Sequence, residues 1–324
     1  MAGIFLSGAD GLLLPELSRE IFEGAVAQSA CMRLARRLPD MTTAQLQMPV
    51  LAGLPTVAWV AGARSGDDPS PGLLATTAMA WKGKYIVAEE IGGIIPIPKA
   101  LLLDVTYDIW GQTRPRLSEA MGALVDNTML FGTTAPASFP TAVVPAAVAA
   151  GNYATLSGDA DPGDLYDDMF SPGGVWEKTE TDGYAVTGTA ASPTMKAKLR
   201  GLRTSTGEPI FLPNMQEKGN FVLDGFDCFF PANGAWDDTA ALMVAGQWDQ
   251  LVYAIRMDME LSMLTEATLQ DPSTGAILYN LAQQNMVAMK LIMRMGWQMP
   301  NPINRMNPDE GTRYPFGALV PVAA

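Results

Sequence analysis

"AGQWDQLVYAIRMDMELSML", residues 245–264, places Leu251, Tyr253, Ile255, Met257, Met259, Leu261 and Met263 at every second position, with Arg256, Asp258, Glu260 and Ser262 between them. Successive side chains of a strand point to opposite faces, so this period predicts a long strand with one packed and one polar face. A second run repeats it: Val287, Met289, Leu291, Met293, Met295 and Trp297 alternate with Ala288, Lys290, Ile292, Arg294, Gly296 and Gln298. The turn-rich QDPSTG (270–275) between the runs joins them into an antiparallel ribbon, far longer than the usual strand of about 5–6 residues. The methionines on the apolar faces read as adaptable core filler rather than as soft-metal ligands.

Composition limits what such a ribbon serves. With 324 residues the chain can bury a large core and hold two domains. An apolar share of 48% with 17% charged residues describes a soluble folded protein with a sparsely charged surface, which suits partners that cover it. The net charge of −13 repels phosphate backbones and argues against nucleic-acid binding as the primary role. No histidine is present, which removes the usual proton carrier near neutral pH and with it triads and most catalytic zinc sites. GxSxG, P-loop and GxGxxG motifs are missing as well, so the expectation is a non-enzyme with no cofactor and no metal. Cys31 and Cys228 lie far apart among apolar neighbours and read as buried free thiols of a reducing compartment. The most apolar stretch, AVVPAAVAA (142–150), is too short to span a membrane, and no signal peptide is recognisable. The acidic DADPGDLYDD (159–168) does not follow EF-hand spacing and reads as a solvated turn. Glu89 and Glu90, adjacent on a strand, point to opposite faces and make a poor glycosidase pair.

Along the chain, residues 14–40 predict one amphipathic arm helix with Pro15 near its start, Pro39 past its end and Arg33, Arg36 and Arg37 in its last turns. Residues 46–91 predict a long hairpin around the polar ARSGDDPSPG (63–72), in need of outside support. A long helix follows within 95–132, with Leu117, Met121, Leu124 and Thr128 on its apolar face and Ser118, Glu119, Asp126 and Asn127 on the others. Pro115 should kink it or restart it, and Gly132 should stop it. In 192–211, Ser192 reads as an N-cap, Pro193 as the first helical residue and Gly207 as a turn.

The order of these pieces resembles the major capsid proteins of tailed phages, the Hong Kong 97-type fold family. The resemblance rests on the arm helix, the exit AWKGKYIVAEEIGGIIPIPKALLLD (80–104), the long helix ending in LFG (130–132), PTMKAKLRGLRTSTGEPIF (193–211) and AGQWDQLVYAIRMDMEL (245–261). It implies an α+β chain divided into an N-terminal arm (1–45), an E-loop hairpin (46–91), a peripheral domain with a spine helix and long sheet (92–135 and 251–297) and an axial domain (136–250 and 298–324). It further implies self-assembly as hexamers and pentamers into an icosahedral virion shell, built in the bacterial cytoplasm. That shell encloses double-stranded DNA without sequence-specific binding and without a membrane.

Scaffolding, portal and decoration proteins are the implied partners, the scaffolding as a separate chain because only about thirteen residues precede the arm helix. An encapsulin-type nanocompartment, or a carbohydrate-binding phage surface protein, is the alternative reading. Arg33, Arg36 and Arg37 on the arm, and Arg64, Asp67 and Asp68 at the hairpin tip, are the expected contacts between subunits. Some members of the family join subunits through a lysine–asparagine isopeptide bond promoted by a glutamate. Lys82, Lys84 and Asn285 match the reacting residues, but Ile292 stands where the glutamate should be, so the shell is expected to hold without covalent links.

Overall fold

The computed structural model describes residues 10–57, 76–104, 109–157, 164–202 and 221–322. Its helices are α1 (Asp10–Gln28), α2 (Ala30–Leu34), α3 (Lys99–Asp104), α4 (Ile109–Asp126), α5 (Val143–Ala150), α6 (Asp164–Phe170), α7 (Val175–Thr181) and α8 (Met195–Gly201). Its strands are β1 (Arg36–Arg37), β2 (Gln45–Gly53), β3 (Ala80–Val87), β4 (Glu89–Pro98), β5 (Tyr153–Thr155), β6 (Gly188–Ala191) and β7 (Phe221–Leu223). They continue as β8 (Phe226–Phe229), β9 (Met243–Gly246), β10 (Val252–Leu264), β11 (Thr268–Gln270), β12 (Ile277–Asn280), β13 (Met286–Gln298) and β14 (Phe316–Val320).

The two alternating runs are β10 and β13, each 13 residues long and paired antiparallel at the centre of a sheet ordered β1-β10-β13-β4. Along the middle of β13 the alternation holds, with Met289, Leu291, Met293 and Met295 buried and Lys290, Ile292 and Arg294 half-buried, but towards its ends Met286, Ala288 and Gly296 are buried together with Val287 and Trp297. On β10 it holds only for part of the strand. Val252 and Ala254 are as buried as Tyr253 and Ile255, because Met41, Ile86 and Ala88 cover the second face there. Beyond the register shifts at Ile255/Met257 and Met257/Glu260 the strand is packed on one side, and Met263 is exposed. The turn 270–275 caps a small extra hairpin, β11 with β12.

The arm is not one helix. Helix α1 ends at Gln28, and Ser29 starts α2 by accepting a hydrogen bond from Met32 N at 3.1 Å. Arg36 and Arg37 are then extended as β1, parallel to the start of β10. Nor is the arm detached, since α1 lies along α4 and contributes Ile21 and Ala25 to the core that backs the long sheet. The approach is close: a Cβ on Gly24 would come within 2.8 Å of Ser118 Oγ. Helix α4 continues through Pro115 rather than restarting at it, then gives way to a π-helical turn, Asn127–Phe131. Gly132, at φ +76°, ends it as expected. Its buried face is wider than the spacing suggested: Met121 and Thr128 are inside and Leu117 packs on the core as expected, Ser118, Val125 and Asp126 are inside as well, and of the expected face Leu124 alone is exposed, at 37%.

Residues 143–246 and the C-terminal strand build a second sheet of six strands, ordered β5-β14-β9-β6-β8-β7. Helices α6, α7 and α8 share one core on this sheet, through Leu165, Met169, Trp176, Met195 and Leu199. Helix α8 starts at Met195 with Thr194 at its N-cap, not at Pro193 with Ser192 as the cap; Ser192 Oγ accepts from Thr194 N at 3.2 Å in the turn just before the helix. Gly207 lies outside the described residues.

Candidate inter-subunit surfaces

Strands β2 and β3 form the base of the predicted hairpin, in register from Gln45↔Val87 to Gly53↔Ala80. The alternation along β3 sorts its side chains. Ile86 is fully buried, and Lys82 and Lys84 point the same way, whereas Trp81 (63% exposed) and Tyr85 (50% exposed) face outward. What the lysines meet is a segment more than two hundred residues away. Lys82 Nζ lies 3.0 Å from Glu310 Oε2, Lys84 Nζ lies 3.6 Å from Glu310 Oε1, and Lys84 also donates to Met299 O at 3.1 Å. Three further hydrogen bonds fasten the hairpin to residues 298–305: Ile303 N to Leu51 O (3.0 Å), Gln298 Nε2 to Tyr85 O (2.9 Å) and Arg305 to Pro55 O (2.6 Å). The support the hairpin needs therefore comes in part from its own chain.

The same segment is fixed at its far end. Buried Arg313 donates to Asn301 Oδ1 (3.1 Å) and to the carbonyls of Asn301 (3.2 Å) and Asn307 (2.9 Å). Buried Asp182 accepts from Asn152 (2.6 Å), Asn307 (2.7 Å) and Tyr314 N (2.9 Å). Residues 298–315 thus connect the hairpin base to β14 in the six-stranded sheet, and the two are held in one orientation.

A third junction is centred on Asp126, 1% exposed. Its Oδ1 accepts from Ser29 Oγ (2.7 Å) and Cys31 N (3.0 Å), and its Oδ2 from Ala30 N (3.0 Å) and Asn233 Nδ2 (2.7 Å). One carboxylate thereby ties the arm, α4 and the loop before β9. Burial pushes its pKa above the ordinary aspartate range despite the four donors, and the Cys31 thiol beside it is raised well above its usual value, first by burial and then by the Asp126 charge. The sequence reading missed this residue. Its only local signal is an acid directly after the apolar Ala123, Leu124 and Val125.

The predicted contact residues divide. Arg33 is stacked over Phe229 at 4.7 Å from the ring centroid. Arg37 is paired with Asp40 at 2.9 Å, so both have partners in their own chain, and Arg36 is exposed with its backbone N–H bound to Leu251 O at 2.9 Å. Arg64, Asp67 and Asp68 lie outside the described residues. Lys84 and Asn285 are far apart within one chain: Asn285, at φ +52°, precedes the first residue of β13, whereas Lys84 touches Met299 just past its last. Thirteen strand residues separate these ends by roughly 43 Å. Ile292 sits mid-strand between Glu260 and Gly92. Lys84 is not an ordinary surface lysine, since burial lowers its pKa and Glu310 opposes that shift. Among the described residues no group of three or more Cys, Asp and Glu side chains is placed to hold a metal ion.

The sequence pattern of the phage capsid family matches residues 10–303. The chain belongs to the phage capsid family. Among solved structures the capsid protein resembles a chain from Microbacterium phage Oxtober96 with 31% identity and a TM-score of 0.74, covering 91% of each chain. A chain from Mycobacterium phage Cain is 29% identical with a TM-score of 0.77 over 92% of each. The capsid of an empty GTA particle, 14% identical, matches with a TM-score of 0.58 over 91% of this chain and 90% of the other, and shows the shared fold alone. Comparison with curated proteins gives no match. The protein is a major capsid protein, a structural component of a virion shell that assembles from its own copies. Neither the nanocompartment nor the carbohydrate-binding reading is favoured by these similarities.

Proposed function

We propose that the capsid protein builds an icosahedral shell of the Hong Kong 97 type from hexamers and pentamers, enclosing double-stranded DNA without reading its sequence. In this reading residues 1–45 are the arm, 46–91 the E-loop, 92–135 with 251–297 the peripheral domain and 136–250 with 298–324 the axial domain. Scaffolding, portal and decoration proteins are separate partners, and assembly takes place in the host cytoplasm. The observation that carries the reading is the outward face of the hairpin. Trp81 and Tyr85 are 63 and 50% exposed on β3, and Val57 and Met79, beyond the paired ends of β2 and β3, are 90 and 51% exposed, large apolar groups of the kind that mark an interaction site.

The arm supports it further: Arg33, Arg36 and Arg37 are all exposed and take carboxylates of a neighbouring copy in addition to their own partners. Purified protein imaged in negative stain should show closed particles. A monomer or small oligomer that binds glycans would instead identify a surface module, and shells loaded with an enzyme cargo a nanocompartment. Replacing the three arginines by alanine should weaken assembly and reduce its salt sensitivity; particles that form unchanged remove the arm from the contact.

A further inference from the structure

A mostly apolar cleft of about 110 Å³ opens between α4, the loop after its π-helical turn, and the ends of β4 and β13. Buried Val125, Met129, Met295 and Trp297 line its inner part, and Leu124, 37% exposed, stands at its mouth. Trp297 packs edge-on against Phe139 with 6.3 Å between ring centroids. It is 1% exposed, yet its indole N–H has no acceptor among the described residues, where a buried Trp N–H normally finds one. Glu89, half-buried at the rim, accepts from Ser138 Oγ at 2.5 Å and enters no ion pair among the described residues. Glu90 also lines the rim but lies opposite Arg294 in register, so Glu89 is the carboxylate left for a ligand. Two departures from regular backbone border the same cleft. One is the π-helical turn Asn127–Phe131, a feature frequent at functional sites; the other is Thr134 at φ +59°, which a β-branched residue adopts only at a cost.

We infer that this cleft binds a small organic cation, with a ring-sized apolar body inside, an acceptor atom on the Trp297 N–H and an ammonium group at Glu89. The space sets the body: a dry cavity of about 150 Å³ takes one benzene, so a single ring fills this smaller cleft and a drug-sized molecule does not fit. Water is a poor occupant, because it needs about two to four polar partners. The two threonines of the lining do not supply them freely, since Thr128 gives its hydroxyl proton to Leu124 O at 2.8 Å and Thr134 gives its own to Thr133 O at 2.6 Å. A neutral hydrocarbon leaves the N–H and the carboxylate unused, and an anion is repelled by Glu89. A phenol carrying an ammonium group meets all three features. The site lies within one chain, so it stands apart from the reading of the chain as a shell subunit. Its occupant touches α4, the loop and the long sheet together and ties them to one another.

The test uses the full chain before assembly and tyramine, a phenol with an ammonium group on a short arm. Calorimetric titration should show saturable binding with a Kd below about 1 mM, and the melting temperature should rise with tyramine concentration. Phenethylamine, which lacks the hydroxyl, and p-cresol, which lacks the ammonium, should each bind about tenfold more weakly. Glu89→Gln keeps an acceptor for Ser138 and should weaken tyramine about tenfold while leaving p-cresol unchanged. Trp297→Phe should erase the preference for tyramine over phenethylamine. A parent chain that shows no saturation by about 10 mM tyramine, or preferences that survive both substitutions, overturns the inference. Trp297 is a core residue, so if its variant does not melt cooperatively, Glu89→Gln decides alone: a preference for tyramine over p-cresol that persists in it places the binding elsewhere and overturns the site.

Discussion

Removing the carboxylate of Asp126 tests whether one buried acid holds the arm to the body of the subunit. In Asp126→Ala the amides of Ala30 and Cys31 and the side-chain amide of Asn233 lose their acceptor, while the Ser29 hydroxyl is free to turn. Each buried donor left unpaired costs about 1–3 kcal/mol. The relief of a desolvated carboxylate offsets part of that, so the net loss should be about 3 kcal/mol.

Asp126→Asn keeps the shape and one acceptor oxygen but turns an NH2 toward a backbone N–H, and should cost about 1.5 kcal/mol. Urea unfolding of the unassembled subunit measures both, with hydrogen exchange at residues 29–34 to locate the loss. The pH dependence is a second signature. The folded pKa of Asp126 lies above its unfolded value, so the native state binds the proton more tightly. Its contribution is most favourable at low pH and declines as pH rises through the folded value, and the asparagine variant should lack that slope. An alanine variant within 0.5 kcal/mol of the parent, a difference on the order of an ordinary surface substitution, would refute the reasoning.

Glu310→Gln should release the clamp on the hairpin base at a cost of about 0–1 kcal/mol, small because Glu310 is half-exposed, and should raise hydrogen exchange in β2 and β3. Lys82 and Lys84 depress the Glu310 pKa, so the clamp contributes above the ordinary glutamate value and is lost as pH falls through the folded one; exchange in β3 that is flat with pH contradicts this. Gly296→Ala puts a Cβ 2.1 Å from Val87 O, where backbone cannot yield, and should lower stability by about 3 kcal/mol; a thermal melt unchanged from the parent's excludes the close approach of β13 and the end of β3. Particles boiled in detergent should run as one band near 34.6 kDa, and a ladder with Lys82 or Lys84 joined to Asn285 would show that another carboxylate supplies the base.

Much of the scaffold was legible because it is local. The period of two along 251–263 and 286–297 placed both long strands to within a residue, and Gly132 marked the end of the long helix because a left-handed residue there is cheapest as glycine. The arm was read too long. Nothing local in 14–40 forbids a continuous helix; the break at Ser29 is made by Asp126, 97 residues away, which offers the Ala30 and Cys31 amides an acceptor that starts a new helix.

Asp126 and Ser118 were assigned to outer faces for the same reason, since polarity predicts exposure only until distant donors make burial tolerable. Lys82 and Lys84 entered only as cross-link candidates because their partner Glu310 is 228 residues from Lys82, and nothing in the alternation of 251–263 shows that Ile86 covers Val252 and Ala254. Side-chain periodicity is written in the sequence because it follows from backbone geometry. Which face a second layer covers, and which buried charge finds its donors, depends on pairings between segments hundreds of residues apart, and only the folded chain brings those together.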